Sequence, residues 1–139
     1  MTELARRLTH FYTDINTESV KQLGSIYDSE VQFIDPVRMH TGLSALQNYF
    51  SNLLGNVTHC RFDIASIDTI DNRLFILWKM HYGHPQIAGG KPITLQGTSF
   101  LKEQANKVVF QQDYYDMGAM LYEHIPVVGF VVKKLKDRL

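Results

Sequence analysis

A chain of 139 residues fits one domain, residues 1–139, and can bury a core without help from disulfides or a metal. Its 14 basic and 14 acidic side chains cancel and no basic stripe runs through the body, so nucleic acid is excluded as a partner. Cys60 stands alone, which excludes an internal disulfide framework. The polar start Met1-Thr2-Glu3-Leu4-Ala5-Arg6-Arg7 lacks the apolar centre of a signal peptide and no apolar run is long enough to span a bilayer, so a cytoplasmic protein without stable membrane insertion is expected.

Leu4, Leu8, Phe11 and Ile15 are spaced four, three and four apart, a helical stripe with Tyr12 at its margin. Asn16-Thr17-Glu18 supplies capping residues and an acidic first turn, and Val20, Leu23, Ile26 and Tyr27 continue the helical period to Asp28, predicting a second helix with Gly24 as its weak point. After a short strand, Leu43, Leu46, Phe50, Leu53 and Leu54 predict a third helix. Ser44 with Gln47 reads as its capping box, or Gly42 as its cap, and Gly55-Asn56 ends it.

From Val57 the period changes to two. Phe62, Ile64, Ile67 and Ile70 are unevenly spaced, which predicts a bulge in a long strand. Asp71-Asn72-Arg73 turns the chain into Leu74–Tyr82, where Trp78, Met80 and Tyr82 alternate as core, interface or ligand wall. A loop from Gly83 to Gly90, a strand from Pro92 to Lys102, a turn at Gln104-Ala105-Asn106 and a strand from Lys107 to Asp116 follow. Helices first and a strand meander afterwards predict an α+β domain with helices on one face of a curved sheet.

The chemistry gathers at Val31-Gln32-Phe33-Ile34-Asp35-Pro36. Strand alternation puts Asp35 on the same face as Val31 and Phe33, where lost hydration would make its carboxylate a stronger base. The competing reading is a turn, with Asp35 accepting from nearby backbone amides and Pro36 ending the ladder. His81-x-x-His84 has no further ligands at recognisable spacing, so no metal site is expected. His40, in the loop after Asp35, reads either as a partner for its proton or as a surface histidine.

The helix pair, Phe33-Ile34-Asp35-Pro36 followed by Gly42 and the helix Leu43–Leu54, Trp78-Lys79-Met80, Gly97-Thr98-Ser99-Phe100 and Asp113-Tyr114-Tyr115-Asp116 together resemble the nuclear transport factor 2-like superfamily, in its SnoaL-like and ketosteroid isomerase-like branch. The resemblance implies a cone-shaped roll: a strongly curved, mainly antiparallel sheet packed against three N-terminal helices, with a C-terminal helical tail over residues 117–139. It implies an apolar pocket for a small hydrophobic molecule, a homodimer formed through the sheet, and chemistry without cofactors. In ketosteroid isomerases an Asp-Pro at this point supplies the base that moves a proton beside a carbonyl, and Asp35-Pro36 matches it. The oxyanion Tyr and protonated Asp of those enzymes fall here on Phe11, with Tyr12 next to it, and on Thr98. Polyketide cyclases of the branch place acid-base work on the final strands, where this chain offers Asp113. If Tyr115 faces the cavity, alternation turns Asp113 and Gln111 inward and Asp116 outward. Asp35 as base and Asp113 as acid would then share a pocket walled by Phe11, Phe33, Trp78 and Tyr115, with Tyr12 or Thr98 as polar contact. The resemblance leaves open a carrier, or a dimerisation domain whose interior is filled.

The run Ile125–Val132 leads into Lys133-Lys134-Leu135-Lys136-Asp137-Arg138-Leu139. Pro126 near its start and the basic end predict a short helix. It either docks on the domain or, as an apolar cationic surface, covers the cavity mouth or makes peripheral contact with an anionic membrane.

Overall fold

The computed structural model describes residues 1–120 and 126–139. Its elements are α1 (Glu3–Thr13), α2 (Thr17–Lys21), β1 (Tyr27–Ile34), β2 (Met39–Thr41), α3 (Leu43–Asn56), β3 (His59–Ile70), β4 (Arg73–Gly83), β5 (Ile93–Gln104), β6 (Lys107–Tyr115), α4 (Met117–Met120) and α5 (Pro126–Lys136). The six strands form one curved sheet in the order β2-β1-β6-β5-β4-β3. Every neighbouring pair is antiparallel except β1 with β6, which run parallel. The architecture is the α+β roll expected from the chain order.

α1 starts at Thr2, whose hydroxyl accepts from the Ala5 amide at 3.2 Å, and buries Leu4, Leu8 and Phe11 as its spacing requires. Arg7 ties this helix to the rest: its guanidinium donates to the Ser25 carbonyl and, at 3.0 Å, to that of Asn106 in the β5–β6 turn. The second helix is shorter than its apolar spacing predicts. It is capped by Asn16 and Ser19 in a reciprocal box, ends at Lys21, and gives way to a 3-10 turn over Leu23–Ser25 before β1 begins at Tyr27. Val20, Leu23, Ile26 and Tyr27 are all buried even so, because the tighter turn still delivers them to the core.

At the head of α3 Gly42, with φ at 92°, is the cap, in a conformation that favours glycine, and no side chain caps the helix. The helix runs through Gly55 to Asn56 rather than stopping at the glycine. β3 carries the expected irregularity, a register shift between Ile64 and Ser66 against β4. The β5–β6 turn places Ala105 and Asn106 at φ of 53° and 63°, the left-handed pair that joins twisted strands most directly. On β4 burial alternates strictly, with Leu74, Ile76, Trp78, Met80 and Tyr82 inward and Phe75 and Leu77 outward. Ile125, at the head of the apolar tail, lies outside the described residues.

Candidate functional site

The parallel pairing of β1 with β6 is what builds the site. Phe33 lies level with Gln111 and Ile34 with Gln112, so one step further the same register brings Asp35 level with Asp113 on the neighbouring strand. Side chains of equal parity share a face, and both carboxyls line a cavity of about 670 Å³ between the sheet and α3. Phe33, Phe62, Trp78, Met80, Tyr115 and Phe50 give it apolar and aromatic walls, while Asn48, Asn52 and Asn56 line it from one face of α3.

Asp35 both turns the chain and faces the cavity. The chain does turn there: Asp35 Oδ1 accepts from the amides of Val37 and Arg38 at 2.8 and 2.9 Å. The residue is nevertheless only 6% exposed and belongs to the cavity wall. Its Oδ2 has as nearest basic neighbour the Nε2 of His40, 3.9 Å away, too far for a hydrogen bond. That nitrogen is buried without a partner among the described residues. Burial lowers the His40 imidazole's pKa; Arg38 acts in the same sense and the Asp35 charge against it. The ring rests on Tyr49 with centroids 4.4 Å apart.

Asp113 sits in a hydrogen-bonded chain that crosses the floor of the cavity. Trp78 Nε1 donates to Ser99 Oγ at 2.9 Å, and Ser99 donates in turn to Asp113 Oδ1 at 2.5 Å. Gln111 Nε2 donates to the same oxygen at 2.9 Å, while Gln111 Oε1 accepts from the Tyr27 hydroxyl at 2.7 Å. Since Tyr27 spends its proton on Gln111, the 2.7 Å contact between the hydroxyls of Tyr12 and Tyr27 has Tyr12 as donor. Asp113 Oδ2 accepts nothing among the described residues. Burial pushes the Asp113 carboxyl up to about 6, its two hydrogen bonds pull against that, and the charge of Asp35 adds to it. Burial also raises the hydroxyls of Tyr12, Tyr49 and Tyr115, keeping them protonated; the charge of Asp35 adds to the shift at Tyr49 and Tyr115.

Of the residues singled out from the sequence, Asp35, Asp113, Tyr12, Phe33, Trp78 and Tyr115 all line this cavity. Two do not. Phe11 is buried behind the wall, edge-on to Tyr12 and Phe50 at 4.9 and 5.4 Å, because it points about 100° around the helix from Tyr12. Thr98 is on the outer face, its hydroxyl donating to the Ile76 carbonyl at 2.9 Å; Ser99, one position along, is the inward residue level with Asp113. Tyr12 faces the cavity, but its hydroxyl proton is committed to Tyr27. Tyr49 and the three asparagines of α3 had not been singled out. Asn48, Asn52 and Asn56 recur every four residues, a spacing that marks one helix face.

Asp113 bonds neither Arg61 nor Lys79; Arg61 pairs with Asp63 on the outside of the sheet. His81 is held there too, Nε2 to Asp63 at 2.7 Å and Nδ1 to Thr94 at 3.1 Å. Among the described residues no group of three or more His, Cys, Asp or Glu side chains is placed to hold a metal.

Residues 8–110 match the family model described as "SnoaL-like domain". No curated protein matches the sequence at a significant level. Among solved structures, a hypothetical protein from Catenulispora acidiphila with a ketosteroid isomerase-like fold, in complex with trimethylamine, superposes with a TM-score of 0.75 at 13% identity, over 89% of this chain and 92% of that one. A protein from Shewanella putrefaciens, provisionally assigned as a SnoaL-like polyketide cyclase, gives 0.71 at 17% identity over 86% and 94%. TerC, co-crystallised with polyporic acid, gives 0.70 at 13% identity over 85% and 92%. At these identities the likeness is one of fold.

Proposed function

The chain belongs to the SnoaL-like domain family, and we propose that its cavity takes a small, largely apolar ring compound carrying a carbonyl and moves a proton beside that carbonyl. The observation that carries this reading is the paired carboxyls. Asp35, one residue past the end of β1, and Asp113 on β6 line the same cavity, each has one oxygen fastened by two donors, and each leaves Oδ2 uncommitted. Asp35 is the proton acceptor. Asp113, with a pKa pushed up to about 6, is near enough to neutrality to hold a proton against a developing enolate oxygen and to give it up again. The aromatic walls favour a flat ligand, and TerC, a protein of the same fold, has been co-crystallised with a small organic acid, polyporic acid.

Hydrogen exchange tests the assignment directly. Cyclic β,γ-unsaturated ketones and aromatic 1,3-diketones are incubated with the protein in D₂O, and deuterium gain beside the carbonyl is read by mass spectrometry. Asp35→Asn is expected to bind as before and to exchange about 10²- to 10⁴-fold more slowly. Unchanged exchange in Asp35→Asn for every compound the wild type accepts would remove Asp35 from the mechanism. The second reading, a carrier for the same class of molecule, is favoured by Tyr12, whose proton is spent on Tyr27 and so cannot stabilise an oxyanion. A compound that leaves the purified protein chemically unaltered, with no exchange catalysed on it, is the result expected of a carrier.

The outer sheet face carries exposed Phe75, Leu77 and Tyr114, with Phe75 and Phe100 rings in contact at 5.4 Å. Such a surface suits a second copy of the chain. Light scattering is expected to give twice the chain mass for the wild type and the single mass for Leu77→Arg, since a buried unpaired guanidinium is costly. A monomeric wild type removes the dimer from the reading.

A further inference from the structure

Among the described residues α5 is anchored along one side. Gly129 is buried, Lys136 Nζ donates to Asp116 Oδ2 at 2.7 Å, and Val132 sits close to Gly118 of α4. At about 100° per residue the arc turned away from that anchor carries Phe130, Lys134, Arg138, Val131 and, at its edge, Leu135. The apolar members of this arc are open: Phe130 is 68% exposed, Leu135 57% and Val131 49%. A helix serving only to close the end of a domain would turn these residues inward.

We propose that this face of α5 docks on an anionic lipid bilayer. The charge pattern favours that occupant over an apolar protein groove. Lys133, Lys134, Lys136 and Arg138 stand against Asp137 alone in the last turns, and Lys134 and Arg138 lie among the apolar side chains rather than opposite them. Interleaving of this kind lets lysine and arginine stems run along the apolar surface while their heads reach lipid phosphates. The Lys134 ammonium already lies 5.9 Å from the centre of the Phe130 ring. Insertion across the bilayer is not implied, because no described helix is long and apolar enough to cross one. The docking face also has a place in the molecule: its anchor, Asp116, directly follows Tyr115, which lines the cavity. The docking stands whether the cavity catalyses or only carries.

Co-sedimentation of the full chain with vesicles is the test, using phosphatidylcholine alone and phosphatidylcholine mixed with phosphatidylglycerol. Binding is expected to the mixed vesicles only, and to be lost at high salt. Each basic residue removed near the surface is expected to weaken partitioning about fivefold, so Lys134→Ala with Arg138→Ala falls about 25-fold. Phe130→Ser with Leu135→Ser is expected to abolish binding, and because both side chains are exposed its far-ultraviolet dichroism stays that of the wild type. Equal partitioning to both vesicle types, or none to either, overturns the proposal. So does a Phe130→Ser/Leu135→Ser variant that keeps its vesicle binding, or one whose loss of binding is accompanied by a halved mass in light scattering, which would make a second copy the occupant.

Discussion

Asp113→Asn is expected to be more stable than the wild type above about pH 6, by up to about 3 kcal/mol, and no more stable near about pH 4. Burial raises the Asp113 carboxyl from 3.8 to about 6, so between those values the folded chain holds a proton that the unfolded chain has released. Stability then falls as pH rises through that window, at 1.36 kcal/mol per unit of pKa difference, and the full cost is present once the folded carboxyl ionises. Asparagine keeps what the structure uses. Its Oδ1 can accept from both Ser99 and Gln111, and its amide nitrogen takes the place of Oδ2, which has no donor to lose. His40 titrates with the opposite sign, since its lowered pKa favours the neutral form and costs stability as pH falls, but it is common to both proteins and cancels in their difference. Urea unfolding of the pair across this range gives the difference directly. Parallel curves would mean that Asp113 ionises as an ordinary exposed carboxylate. The same pair separates chemistry from folding: an acid role predicts slower deuterium exchange in a more stable protein.

Much of the site was readable because a strand's parity is readable. Val31, Phe33 and Asp35 alternate onto one face, and counting back from Tyr115 turns Asp113 and Gln111 inward, without knowledge of which strands pair. The failures are of phase. The resemblance put the polar contact at Thr98, and one residue is the difference between the two faces of a sheet. Ser99 becomes the inward residue only once Gly97 is known to lie between Trp78 and Tyr115, and that is a fact of register across three strands. Phe11 failed for the corresponding reason on a helix. Leu4, Leu8 and Phe11 define the face that meets the core, while the cavity lies to one side, on the column that holds Tyr12.

The boundary between α2 and β1 could not be read at all. Val20, Leu23, Ile26 and Tyr27 satisfy a helical period, and Tyr27, Val31 and Phe33 satisfy the alternation of a strand, so Tyr27 belongs to both patterns. Tertiary pairing decides between them: the Val108 amide donates to the Ile26 carbonyl at 2.8 Å, which docks this stretch on β6. The consequence reaches the site, because the parallel pairing that begins here, after a register shift between Tyr27 and Gln32, carries Asp35 towards Asp113. The Tyr27 hydroxyl, buried at the start of that strand, orients Gln111, and Gln111 in turn fixes which oxygen of Asp113 is free.

Gly97→Ala is expected to cost about 2–4 kcal/mol and to open the floor of the cavity, although it adds a single methyl group. Gly97 lies between Trp78 on β4 and Tyr115 on β6, in one row across three strands. A Cβ there would fall 2.3 Å from both Cζ2 and Cη2 of the Trp78 ring, far inside contact distance. The indole occupies that space because glycine leaves it empty, and so it reaches across β5 to meet Tyr115 edge-on at 6.1 Å. Displacing the ring removes the Nε1 hydrogen bond to Ser99, and with it one of the two supports of the Ser99 hydroxyl that holds Asp113. Trp78→Phe in the same chain is the informative partner, since a phenyl ring lacks the outer atoms that collide. The double variant is expected to be more stable than Gly97→Ala alone, with a coupling of about 1–3 kcal/mol in a double-mutant cycle. Simple addition of the two costs would mean that the ring does not lie over Gly97, and then neither the cavity floor nor the orientation of Asp113 would depend on this glycine.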